Sequence, residues 1–238
     1  MTGRIHSYES LGALDGPGLR YIVFMQGCPL SCGCCHNPDT RKTNGGEEIS
    51  AGELYKRIEK YRPYFGTDGG VTASGGEPLC QADFLYELFS LCREGGITTC
   101  LDTSGCITGT AVDKLLDITD TVLLDIKYSN EDDYQRYTGM KYSAAIDFLE
   151  LLEKKGVRTV LRRVIIPGLN DSDSDRDNLT ALAKKYSCVY KVELLPFKKL
   201  CEEKYERLGI PFPFGHIPEA DPNAVRKEKE TIMHELDK

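Results

Sequence analysis

The stretch GCPLSCGCCHNP, residues 27 to 38, places four cysteines within eight positions. Cys28, Cys32 and Cys35 follow the spacing C-x3-C-x2-C, which puts three thiols on one tight loop. Cys34 adjoins Cys35, and side chains of adjacent residues tend to point apart, so the two are not expected to bind one metal centre. Structural zinc usually takes four ligands as two separated pairs, and the chain has neither a second C-x2-C nor an H-x3-H. A ferredoxin-type four-iron cluster takes four cysteines. Three thiolates leave one iron open, as a Lewis-acidic, substrate-binding cluster requires. Ligand count and spacing favour that open cluster, with zinc and plain thiols as the alternatives.

The loop follows an apolar run, Tyr21 to Gln26. Five similar runs follow: Gly70 to Ser74, Thr98 to Asp102, Val122 to Ile126, Val160 to Ile165 and Lys191 to Leu195. Each is short and almost continuously apolar, as parallel strands covered on both faces should be. Helix patterns lie between and after them. Ser50 to Tyr61 opens with a capping box, Ser50 with Glu53 three residues on. Ala82 to Arg93 carries apolar residues near a 3.6 period and stops at Gly95-Gly96. Thr110 to Asp117, Ala144 to Lys155, Asp175 to Tyr186 and Asn223 to Leu236 complete the set. Strand then helix, six times over, predicts parallel βα units. Six are fewer than the eight of a closed barrel, and on periodicity alone an open doubly wound sheet fits equally well. In both, sites form at the C-terminal ends of the strands.

The chain has 238 residues, a length that one domain accommodates. Asp and Glu outnumber Lys and Arg by 37 to 30, a formal charge of −7, which argues against a nucleic-acid partner. Neither a signal peptide nor a membrane-spanning apolar run is apparent, so a cytoplasmic location is expected. Reduced compartments disfavour disulfides, and clustered thiols there point to metal or catalysis. The scattered Cys80, Cys92, Cys100, Cys106, Cys188 and Cys201 are expected to be mostly small buried hydrophobes. Residues 211 to 222, rich in proline, predict an irregular ordered loop before the last helix.

Further motifs sit at the predicted strand ends. SGGEP, residues 74 to 78, has paired glycines that serve a tight turn or a close approach to a ligand. LDTSG places Asp102 and Thr103 at the third strand's end, and LLDIK places Asp125 and Lys127 at the fourth. These carboxylates and the lysine fit a salt-bridge network or a ligand rim. Arg162 lies within an apolar strand and needs a partner there. DGPGLR, residues 15 to 20, forces a turn before the first strand.

Taken in order, GRIHSYES, DGPGLR, FMQGCPLSC, CCHNPDT, GGVTASGGEPL, CLDTSG, LLDIK and RRVIIPGLND resemble the radical S-adenosylmethionine (SAM) enzymes that activate glycyl-radical enzymes. The resemblance covers residues 3 to 198 and continues more loosely to the end. The three-cysteine spacing alone marks the superfamily, and the DGPG and CCHNPDT segments mark the activases. No inserted ferredoxin-like domain with extra C-x2-C pairs lies between His36 and Ser50, which favours the compact type acting on pyruvate formate-lyase. The resemblance implies a partial (β/α)6 barrel of the radical SAM type. It implies a single domain over residues 1–238, with a core of about 15–200 and a helical C-terminal extension of about 201–238.

The resemblance also implies the chemistry. Cys28, Cys32 and Cys35 would hold one [4Fe–4S] cluster whose reductive cleavage of SAM gives a 5′-deoxyadenosyl radical. That radical would take a Cα hydrogen from one glycine of pyruvate formate-lyase; the alternatives are an activase of another glycyl-radical enzyme, another radical SAM enzyme or a non-catalytic metal-binding module. Flavodoxin or ferredoxin would supply the electron, and the chain would work as a monomer. Gly75, Gly76, Asp125, Lys127, Cys34, His36 and Lys198 would contact SAM. Asp102, Thr103 and Asp125 would take a monovalent cation, and Asp15 and Arg162 would face the substrate. Two positions depart from the family's pattern: Cys34 replaces an aromatic residue, and Lys198 replaces a histidine of close relatives.

Overall fold

The computed structural model describes residues 1–236; Asp237 and Lys238, the last two of the expected C-terminal extension, lie outside the described residues. Eight strands hydrogen-bond in the order β3-β1-β2-β4-β5-β6-β7-β8, and the sheet does not close. The six predicted strands appear as β2 (Arg20–Met25), β4 (Gly70–Gly75), β5 (Thr98–Thr103), β6 (Thr121–Asp125), β7 (Arg158–Ile165) and β8 (Val189–Pro196). They neighbour one another in chain order, as repeated βα units require. The α/β class expected of a radical SAM fold therefore stands. Two strands that the apolar pattern did not reveal, β1 (Thr2–Gly12) and β3 (Glu47–Ser50), add antiparallel to one end.

Contacts divide the chain into two compact units. The first comprises residues 1–29, 40–123 and 155–158. In it β2 pairs in parallel with β4, and β4 with β5; Met25 lies opposite Gly75 and Ala73 opposite Leu101. Val23 and Met25, Val71 and Ala73, and Cys100 and Leu101 are fully buried, so these strands are covered as their composition predicts. Helices α1 (Ala51–Glu59), α2 (Arg62–Phe65), α3 (Ala82–Glu94) and α4 (Thr110–Leu116) belong to this unit. The capping box forms at α1: the Glu53 amide donates to Ser50 Oγ (3.3 Å) and the Ser50 amide to Glu53 Oε2 (3.3 Å). Helix α3 buries Phe84, Leu85, Leu88, Phe89 and Cys92 on one face and ends at Gly95-Gly96, as its period predicts.

The second unit comprises residues 30–39, 124–154 and 159–238. It holds α5 (Glu131–Thr138), α6 (Tyr142–Lys155, all but its last residue), α7 (Asp173–Lys185), α8 (Glu202–Leu208) and α9 (Pro222–Leu236), with β7 and β8 paired in parallel. Helices α5 and α8 are additions to the predicted set. Residues 211–221 are irregular, as expected. Among the described residues no helix is long and apolar enough to cross a membrane.

Ser50→Ala removes the reciprocal cap at α1. A loss of about 1 kcal/mol is expected, read as a lower urea midpoint at unchanged slope.

Candidate active site

Within the first unit, the ends of β2, β4 and β5 are stitched together. Gly75 has φ +103°, a left-handed conformation, and a Cβ there would stand 2.4 Å from the Met25 nitrogen. A Cβ on Gly76 would stand 2.3 Å from the Gly27 carbonyl oxygen. Only glycine fits this approach. The Gly76 and Glu77 amides donate to the carbonyls of Met25 (2.9 Å) and Gly27 (2.8 Å). The turn thus lies against the strand end that leads into Cys28.

Glu77 lies within SGGEP, where the sequence alone assigns it no role. It is 1% exposed. Its Oε1 accepts from Thr103 Oγ1 (2.5 Å) and the Leu79 amide (3.1 Å). Its Oε2 accepts from Ser104 Oγ (2.6 Å) and the Ser104 amide (3.0 Å). Beside it, Ser74 Oγ donates to Asp102 Oδ2 (2.7 Å). Thr103 Oγ1 also accepts from the Gly105 amide (3.0 Å), so its hydroxyl serves the protein, and a ligand at this residue would meet its carbonyl. The only available signal for Glu77 was its place between two glycines and a proline, where a long acidic side chain is out of keeping with a simple turn.

Asp15, with the half-exposed DGPG turn, is held through its backbone. Its carbonyl accepts from Thr72 Oγ1 (2.7 Å), and Thr72 Oγ1 accepts from the buried Arg20 Nε (3.0 Å).

Within the second unit, the Cys35 amide donates to the Cys32 carbonyl (3.3 Å), so these two cysteines bracket one turn. Both are half-buried, as is Cys28 at the end of the first unit's strand loop, and all ten cysteines are thiols rather than disulfides. Burial pushes the Cys34 thiol up to about 12, which keeps it protonated. Among the described residues no three His, Cys, Asp or Glu side chains gather to hold one metal ion. A four-iron cluster asks for another arrangement, since each thiolate takes a different iron. Three half-buried thiols at C-x3-C-x2-C fit that group.

The turn is gripped by residues that sequence reasoning missed. Tyr205 on α8 donates from its hydroxyl to the Cys35 carbonyl (3.1 Å). Lys204 Nζ reaches Asn37 Oδ1 (2.8 Å) and Asp39 Oδ1 (3.4 Å). His36 Nε2 lies 2.9 Å from the Lys198 carbonyl. Lys198 itself turns its ammonium to Glu219 (3.0 Å). At the end of β6, Lys127 Nζ pairs with Asp125 Oδ2 at 2.6 Å. Desolvation opposes the lysine's charge, but Asp125 and the nearby Cys32 and Cys34 outweigh it and hold its pKa well above the ordinary value. Arg162 pairs with Glu193 (3.4 Å), which supplies the partner its burial demands.

Of the six scattered cysteines, Cys92, Cys100, Cys188 and Cys201 are buried, Cys106 is half-buried and Cys80 is exposed.

This fold and loop define a radical SAM protein, and the family model of the Radical SAM superfamily matches residues 22–177. Over 237 residues the chain is 45% identical to the pyruvate formate-lyase-activating enzyme of Clostridium pasteurianum, covering 99% of both. It is 41% identical over 212 residues to pyruvate formate-lyase 1-activating enzyme of Escherichia coli K12, covering 88% of this chain and 86% of that one. The chain belongs to the pyruvate formate-lyase-activating enzymes of the radical SAM superfamily. Solved structures share the fold at low identity. One is SuiB of Streptococcus suis bound to its precursor peptide SuiA (TM-score 0.70, 15% identity, 91% of this chain and 45% of that one). Another is a domain of a pyruvate-formate lyase-activating enzyme from Bacteroides vulgatus (TM-score 0.58, 18% identity, 71% and 95%).

Glu77→Gln sets an amide –NH2 against a backbone N–H that cannot turn away, at Leu79 or at Ser104. The expected loss is about 2 kcal/mol in chemical denaturation; unchanged stability would show that the carboxylate does not hold the two strand ends.

Proposed function

We propose that this chain activates pyruvate formate-lyase, with Cys28, Cys32 and Cys35 holding a [4Fe–4S] cluster beside SAM. The observation that carries the chemistry is C-x3-C-x2-C directly after β2, the first strand of the parallel series. The partner follows from the relatives' activity. When bound, the cluster and SAM supply a 5′-deoxyadenosyl radical that removes a Cα hydrogen from one glycine of the partner.

The chain's own residues place and shield that chemistry. At Gly75 and Gly76 the amides of Gly76 and Glu77 are already spent on Met25 and Gly27. The turn therefore offers a ligand carbonyl oxygens, the polarity that the methionine ammonium of SAM needs. Lys127 is held charged by Asp125 and is suited to a carboxylate or ribose oxygen. Asp102, the Thr103 carbonyl and Asp125 are hard oxygen donors of the kind a small monovalent cation takes. Cys34 and His36 supply the adenine side from the cysteine turn. Asp15 and Arg162 are each assigned to the substrate. Flavodoxin or ferredoxin gives the electron, and the chain acts as a cytoplasmic monomer.

Electron paramagnetic resonance on an anaerobic mixture of reconstituted, reduced protein, SAM and pyruvate formate-lyase tests this. A glycyl radical signal is expected only when both SAM and this chain are present. Cleavage of SAM without a protein radical would mean that another glycyl-radical enzyme is the partner. Cys28→Ala, Cys32→Ala and Cys35→Ala are each expected to abolish SAM cleavage and to reduce iron and sulfide well below about four of each per chain. Full activity in any one of them would remove it from the ligand set.

A further inference from the structure

Tyr128 directly follows the Asp125–Lys127 pair and is 1% exposed. Its ring lies 5.3 Å from that of Tyr137 and edge-on to Tyr134 at 6.0 Å. The neighbouring Tyr134 hydroxyl is fully used: it accepts from the Lys127 amide (3.0 Å) and donates to the Asp125 carbonyl (3.2 Å). The Tyr128 hydroxyl is buried and has no hydrogen-bond partner among the described residues. An unpaired buried hydroxyl is costly, and phenylalanine would fill the same space without that cost. A group that binds next to it accounts for its presence.

Its surroundings identify the group. The Tyr137 carbonyl accepts from the Gly33 amide (2.9 Å), and the Thr138 carbonyl from the Ser31 amide (3.0 Å). The aromatic layer under Tyr128 is therefore pinned to the turn that carries Cys32, Cys34 and Cys35. Burial raises the phenol's pKa; Cys34 raises it further, Lys127 lowers it, and Cys32 raises it again. A phenol is an O–H donor at neutral pH, and the Cys34 and Cys32 side chains lie near enough to interact with it.

We infer that the Tyr128 hydroxyl donates a hydrogen bond to a sulfur of the [4Fe–4S] cluster bound by this loop, and so sets the cluster's reduction potential. The inference rests on the proposed cluster. A hydrogen bond to a cluster sulfur stabilises the reduced form, which carries one more negative charge, and raises the potential.

The test is a potentiometric titration, followed by electron paramagnetic resonance, of anaerobically reconstituted wild type and Tyr128→Phe without SAM. Iron and sulfide contents are expected to match, with the variant's midpoint more negative. At the wild-type midpoint its ratio of reduced to oxidised cluster should fall roughly threefold to tenfold. The cluster-free variant should melt no lower than cluster-free wild type. A fluorinated tyrosine at position 128, with a more acidic hydroxyl, should move the midpoint in the opposite direction. Equal midpoints in all three proteins would overturn the inference. So would an unchanged midpoint with weakened SAM binding, which would give the hydroxyl to SAM instead. A wild type that takes up no iron and sulfide would fail the cluster proposal itself, a separate result.

Discussion

A carboxylate withdrawn from water must be met by donors, and Glu77 meets that demand with two hydroxyls and two amides. The donors come from the end of β5 and from the turn after β4, so satisfying one side chain fixes two strand ends at once. The glycines before it let the same turn touch the end of β2. Ser74 and Asp102 close a second link between β4 and β5. The rim of the first unit is therefore polar yet internally committed. What it leaves for a ligand is set by what these bonds do not use, and at the Gly75-Gly76 turn the amides of Gly76 and Glu77 are already taken.

The second unit handles the cysteine turn differently, through its C-terminal elements. Tyr205 and Lys204 on α8 reach the Cys35 carbonyl, Asn37 and Asp39, while the strand-end carbonyl of Lys198 meets His36. Cys32 and Cys35 are three residues apart in a turn with one internal amide bond. Such a turn has little stiffness of its own, and contacts from Tyr137, Thr138, Lys198, Lys204 and Tyr205 supply it. The extension after β8 is thus part of the machinery that shapes the turn.

Five of the six predicted strands were legible because they are buried almost throughout, which demands nearly continuous apolar runs, whereas β8 buries only Val192 and Leu194 and exposes Leu195. β1 and β3 were not: Thr2–Gly12 includes Arg4, His6, Ser7 and Glu9, and its strand state comes from pairing with β2 and β3. Helices α5 and α8 are mostly polar, so a periodicity criterion passes over them. Their ends did carry signals. Asn130 caps α5 by accepting from the Asp133 amide (2.9 Å), and Gly139 ends it at φ +77°. Helix α8 opens with Glu202 and Glu203, closes with Arg207, and is followed by Gly209 at φ +65°. The cysteine motif was legible because its spacing is chemical. Glu77 and Tyr205 were not, because their roles lie in donors and acceptors distant in sequence that no local pattern encodes.

Lys198 shows how a departure from a family's pattern can be absorbed. Its ammonium is turned to Glu219, whose other carboxylate oxygen accepts from the Lys199 amide (2.8 Å). Its carbonyl, not its side chain, faces His36, and since a carbonyl only accepts, His36 carries its proton on Nε2. A backbone contact is indifferent to the side chain that bears it. The link between this strand end and the cysteine turn therefore makes no demand on the side chain at 198, and the Lys198 ammonium ties down the segment before α9. The requirement at this point is on the path of the main chain after β8, which the Lys198 carbonyl, the Lys199 amide and Glu219 hold in place.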